Sequence, residues 1–400
     1  MKTVNALIIA AVLSLTAAAA AAEDIPVKIG VLNDRSGVYA DLAGEGSVIA
    51  ARMAVEDFGA AAKGIKVEIV SADHQNKPDI ASNIARQWID QDGVDVIADV
   101  PTSSAALAVS EVVREKNRIF LVSGAAASDL TGAKCSPNTV HWTYDTWALA
   151  HGTGKAMVEQ GGKKWFFITA DYAFGQALER DTAAVVKASG GEVVGSVKHP
   201  FPGQDFSSFL LQAQSSGAQV IGLANAGGDT INSIKQAAEF GITQGGQKLA
   251  GLLIFITDVH ALGLETAQGL VLTESFYWDK DDGTRAFAKR FGELNGGKMP
   301  SMVHAGVYAS VLHYLKAVEA LKSKDPKAVM AKMKEMPSED PLFGKGQIRA
   351  DGRHVHDMYL VEVKKPEESK GAWDYYKILT TIPADQAFRP LDQGGCPLVK

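Results

Sequence analysis

Short apolar runs alternate with stretches of helical periodicity along most of the chain. VKIGVL reads as a strand, and SVIAARMAVEDFG follows with Val48, Ala51, Val55 and Phe58 on one helical face. IKVEIVSAD comes next, then DIASNIARQWIDQ, with Asp79 as a candidate helix N-cap. VDVIADV leads through Thr102, Ser103 and Ser104 into the helical SAALAVSEVVREKN, and RIFLVS closes this set. Strands separated by helices of this length predict a parallel sheet covered on both faces.

The plan then repeats. KKWFFITAD, GEVVGSVKH, AQVIGLA and LAGLLIFIT read as strands, and GQALERDTAAVVKASG, DFSSFLLQAQSSG and DTINSIKQAAEFG as the helices between them. The spacing of the first half is kept while residue identity is not, which predicts two similar sheets in succession. Beyond Leu272 come long helices, TRAFAKRFGELN and MVHAGVYASVLHYLKAVEALK, and then the strand-like MYLVEV and WDYYKIL. A chain that adds helices and then strands after two complete sheets suits repeated crossing between lobes, with a hinge and a cleft where small ligands sit.

Composition changes this picture little. The 400 residues exceed the usual single-domain size, and the net charge of −6 gives no basic excess to draw the chain to nucleic acid. The N-terminus says more. MKTVNALIIAAVLSLTAAAAAAED has a lysine, an apolar run and an A-x-A match at Ala20–Ala22, the anatomy of a signal peptide cleaved before Glu23. No cysteine precedes Cys135, so a lipoprotein is not expected. Cys135 and Cys396 are the two cysteines; both lie in Gly/Pro-marked loop sequence, and in an oxidising compartment they are expected to pair, although spacing alone leaves two free thiols open.

Catalytic motifs fail one by one. HGTGKA around Gly152 lacks the spacing of a phosphate loop, GEGSVI lacks the last glycine of a dinucleotide fingerprint, and no G-x-S-x-G is present. His354 and His356 in RHVHD are expected on a surface strand beside a turn, short of the ligands a metal needs. No enzyme, cofactor or metal is expected. What remains are segments at strand C-termini, where open α/β sheets bind ligands: NDRSGVY, PTSS and SGAAAS in the first half, ADYAFG, NAGGD and TDVH in the second. Small residues let backbone amides approach a ligand, and hydroxyls at a helix start add donors where the helix dipole favours an anion.

VKIGVLNDRSGVYADLAGEGSVIAARMAVEDF, SGAAASDLT, ADYAFG and FPGQDFSSFLLQAQSSGAQVIGL resemble the solute-binding proteins of ABC importers, most closely the leucine/isoleucine/valine-binding branch. The resemblance covers nearly all of the mature chain. It implies an α/β fold of two lobes, each a mostly parallel sheet flanked by helices, joined by a three-crossover hinge (the type I periplasmic binding protein). The lobes expected are 23–143 plus 272–337 and 144–271 plus 338–390, after a signal peptide at 1–22 and before a tail at 391–400. It further implies a monomer in the periplasm that closes on a small ligand and delivers it to a permease and ATPase complex in the inner membrane; a sensory subunit on the same fold is the alternative.

Carried over residue by residue, the resemblance implies that Ser103 or Ser104, the backbone of Ala125 and Ala126, and Ser128 hold the ligand's charged group. Ala127 stands where the amino-acid binders have a threonine, Phe174 replaces a second-lobe tyrosine beside Tyr172, and NAGGD offers no aromatic. Asp258 is the match for the acid that pairs an ammonium group. These departures turn the reading towards the subgroup that takes aromatic carboxylates, with Thr102–Ser104 as the anion cradle and Tyr39, Trp142, Tyr172 and Phe174 as walls. Arg35 is a further candidate partner for a carboxylate. Branched-chain or other amino acids are the alternative ligands.

Overall fold

The computed structural model describes residues 24–399. The expected signal peptide lies outside these residues. The first sheet comprises β1 (Ile25–Asn33), β2 (Ile65–Asp73), β3 (Val96–Asp99), β4 (Ile119–Val122) and β5 (Thr139–His141), all parallel, in the order β2-β1-β3-β4-β5. The second comprises β6 (Lys164–Ala170), β7 (Glu192–His199), β8 (Val220–Ala224) and β9 (Lys248–Gly251), also parallel, in the order β7-β6-β8-β9. The order of the first four strands is the same in both, with a fifth strand added to the first sheet, so the duplicated plan expected from the apolar pattern is the architecture. Central strands β3, β4 and β8 are buried at every position and apolar except for Asp99 at the end of β3, as burial on both faces favours.

The chain leaves the first sheet after β5 and returns after Val271–Glu274, when the helix Met302–Leu321 packs along the helix Gly44–Phe58. It crosses a third time to Met358–Val363, which pairs antiparallel with Val271–Glu274 on one side and Tyr376–Ile382 on the other. Between these, His354–Val355 lies beside the first sheet, where Arg353 bridges His141. Arg353 is fully buried; it donates to the carbonyls of Tyr144 and His354 at 2.9 Å and covers the ring of Phe388.

Several local expectations give way. LAGLLIFIT is a strand only to Gly251; the helix Ile256–Leu262 starts inside it because the Asp258 carboxylate accepts the Phe255 amide. Lys77, not Asp79, precedes the helix Pro78–Asp90, whose proline supplies the helical start. His354 and His356 are not on a surface strand but fully buried. His354 stacks on Trp142 at 3.8 Å and meets Ser338, and His356 reaches the carbonyl of Thr143. Their cover comes from segments distant in sequence, which periodicity cannot see. The expected disulfide is present, joining Cys135 to Cys396.

Candidate functional site

A narrow cavity with about 10 Å³ of free space, room for little more than a water, lies between the C-terminal edges of the two parallel sheets. Each wall residue follows a strand. Tyr39 and Leu42 come after β1, Pro101 after β3, Gly124 and Ala126 after β4, and Tyr144 after β5. From the other lobe, Tyr172 and Phe174 follow β6, Ala226 follows β8, and Leu253 and Phe255 follow β9. Five of these are aromatic, and no charged side chain lines the space.

Four helices start at this wall: Gly44–Phe58, Ser103–Glu115, Ala173–Ala188 and Gly228–Glu239. In none does the N-cap side chain accept a first-turn amide. Thr102, at the N-cap of the second, instead donates its hydroxyl to Asn76. Helix starts without caps leave backbone N–H groups available and carry the positive end of the helix dipole. Two further helices start at the wall, after Tyr144 and Phe255, but carboxylates already serve them. Asp145 accepts from Ala148 at 2.8 Å, and Asp258 accepts from Phe255 at 3.0 Å.

The two lobes touch across the cavity. The hydroxyls of Tyr39 and Tyr172 are hydrogen-bonded to each other, and Phe201 stacks on Tyr172 at 4.2 Å. Burial raises both phenols above the ordinary tyrosine pKa, so both stay neutral donors. Beside them Gly228 donates its amide to the Val38 carbonyl at 3.2 Å. Gly227 holds φ +57 there, and a Cβ on it would sit 2.4 Å from that carbonyl, so only glycine fits the crossing.

Of the residues singled out in the sequence, Tyr39, Ala126, Tyr172 and Phe174 line the cavity. The others sit outside the lining. Ser103 accepts the amides of Ala126 and Ala127, at 3.2 and 3.1 Å, and so fastens the loop after β4. Ser104 follows it in the first helical turn, half-buried. The Ala125 carbonyl accepts from His141 at 2.7 Å. Ser128 donates to Asp181 at 2.7 Å, where Arg180 also meets Asp129. Asp258 is buried, and burial pushes its carboxyl up to about 7. Trp142 belongs to the packing under His354, and Arg35 pairs with Glu45. Tyr144, Leu42, Leu253 and Phe255 were not anticipated. Tyr144 and Phe255 each stand one residue before a helix or its cap, which is a signal that the strand-end rule could have used.

A profile described as periplasmic binding protein matches residues 26–372. The chain belongs to the periplasmic binding protein family. Among solved structures, a periplasmic binding protein from Burkholderia mallei is 56% identical, with a TM-score of 0.91 over 94% of this chain and 99% of its own. A branched chain amino acid ABC transporter periplasmic ligand-binding protein from Burkholderia xenovorans is 45% identical, with a TM-score of 0.83 over 94% and 100%. A solute binding protein of an ABC transporter from R. palustris, in complex with 4-hydroxybenzoate, is 25% identical, with a TM-score of 0.81 over 90% and 97%. As in these relatives, the present binding protein carries two parallel sheets flanked by helices around a cleft.

Proposed function

We propose that this binding protein captures a small aromatic carboxylate in the cavity and delivers it to the permease of an ABC importer. The observation that carries the reading is four uncapped helix starts converging on an aromatic wall that holds no charged side chain. Backbone dipoles favour an anion without a dedicated lysine or arginine. The five rings of the lining suit stacking against one flat ring better than a branched aliphatic chain. The R. palustris relative, whose bound ligand is 4-hydroxybenzoate, supports the same class.

Amino-acid binding is the second reading. The Burkholderia xenovorans relative favours it, as does Asp258, which keeps one oxygen beyond its bond to Phe255 for an ammonium group. Calorimetric titration separates the two. Benzoate, 4-hydroxybenzoate and cinnamate are expected to bind, and leucine, isoleucine and valine to give no heat. Binding confined to the amino acids overturns the aromatic reading. Mass spectrometry of ligand released from freshly purified, denatured protein checks the same point without a chosen panel.

A further inference from the structure

Four carboxyl groups are buried around the cavity: Asp99 and Asp229 at 0% exposure, Glu274 at 2% and Asp258 at 3%. Two touch its wall directly. Asp258 holds the amide of Phe255, and Asp99 Oδ1 lies 3.2 Å from the position a Cβ on Gly124 would take. Among the described residues, Asp99, Asp258 and Glu274 have no lysine, arginine or histidine nitrogen within ion-pair distance. Asp229 has only His199, 3.9 Å away, whose Nδ1 is already given to the Pro200 carbonyl. Asp99 Oδ1 and Asp229 Oδ2 have no hydrogen-bond partner at all. Asp99 and Val100 both hold positive φ, +80 and +53. Side-chain-bearing residues keep such angles only where the surroundings over-determine them, as at ligand clamps.

We infer that the cavity takes its carboxylate ligand together with a proton, held on the buried carboxyls against its wall, Asp99 and Asp258 foremost. This rests on the carboxylate reading above. An unpaired buried carboxylate is costly, and a second anion a few ångströms away makes it costlier. The balance is simple: one ligand carboxylate and one proton from solvent enter, an ionised side chain becomes a carboxylic acid, and the site's net charge is unchanged.

The surroundings offer no competing cation. Asp99 faces Asn33, Ser47 and the Tyr144 phenol. Asp258 faces Glu274, Tyr376 and Tyr144, with Asp41 farther off, itself paired with Lys298. Glu274 accepts from the Tyr376 hydroxyl at 3.0 Å, and Asp229 faces Tyr39, Tyr172 and His199. Burial pushes Asp99 up to about 6, Asp229 and Asp258 up to about 7, and Glu274 well above the usual carboxylate range. Near neutral pH some of these groups are therefore still ionised and able to take up a proton.

The sign follows from linkage. A bound anion raises these pKa values further, so affinity is highest below the free-protein values and falls as pH rises through 6 to 7 and beyond. The fall is at most about tenfold per pH unit for each coupled proton. A zwitterionic amino acid would do the reverse, its ammonium group holding Asp258 ionised and releasing a proton.

The test is calorimetry of benzoate binding to the mature protein at pH 7 in phosphate and in Tris, whose ionisation heats differ. The expected result is net uptake of about half to one proton per benzoate, with Kd rising about tenfold between pH 6 and 8. Asp99→Asn and Asp258→Asn are each expected to lower the proton count and flatten the pH profile. Melting temperature checks that both variants are folded; if neither folds, the wild-type proton count decides alone. Benzoate binding with no proton exchange and a flat profile overturns the inference and leaves the ligand reading intact. Failure of benzoate and the other carboxylates to bind overturns the ligand reading, and the inference with it.

Discussion

Helices that start at the cavity differ from those that follow Glu274. Asp281, Ser301 and Asp325 cap the three helices Asp282–Leu294, Met302–Leu321 and Pro326–Glu335 through side-chain oxygens. Four of the six that begin at the wall have alanine, threonine, tyrosine and glycine in the same position, and none of these makes the bond. A missing cap leaves a helix about 1 kcal/mol less stable than it could be. Lack of a cap is not confined to the cavity, since Pro78–Asp90 and Ser207–Ser215 also lack one. What distinguishes the wall is four such starts meeting in one small apolar space. On the carboxylate reading proposed above, that convergence is what would let the first-turn amides of several helices act on one ligand.

The largest expected effect comes from the Ser103 hydroxyl, which accepts two backbone amides of the loop after β4. Ser103→Ala strips the acceptor from two buried amides, each worth about 1–3 kcal/mol when left unsatisfied. The melting temperature should drop clearly, and ligand affinity should weaken as the loop bearing Ala126 loosens. An unchanged denaturation midpoint would show that the hydroxyl does not fasten the loop. Next comes Asp325→Ala, which removes a cap far from the wall. It should lower stability by about 1 kcal/mol and leave calorimetric affinity where it was. A loss of affinity there would break the comparison, because the support helices would then also serve the ligand. The smallest effect is assigned to Ser104→Ala, within roughly 0.5 kcal/mol in stability and little changed in binding. If Ser104 behaved like Ser103, the adjacent hydroxyls would act as one cradle after all.

Local chemistry made the fold readable. Apolar runs such as VDVIAD and AQVIGLA, with helical periodicity between them, predict strands whose order and direction follow from βαβ connections. The site was readable where it obeys the same rule, so the strand-end loops delivered Tyr39, Ala126, Tyr172 and Phe174 to the wall. It was not readable where a side chain is claimed by a distant partner. Ser103 finds its amides 23 and 24 residues later, Ser128 its acid 53 residues later, and Trp142 its histidine on another crossing of the hinge. Asp258 shows a local failure of a different kind. Three residues into its helix, its carboxylate turns back to the Phe255 amide before any ligand is considered.

Two of the uncapped helices, Gly44–Phe58 and Ser103–Glu115, belong to the first sheet, and the other two, Ala173–Ala188 and Gly228–Glu239, to the second. The cradle is therefore split evenly along the line where the lobes part. On the carboxylate reading proposed above, parting of the lobes would carry half of the attractive field away from the other half. No lysine or arginine stays behind on either side of the wall to retain an anion. Unloading on that reading would need no separate trigger at the binding residues, since parting the lobes would itself dissolve the hold.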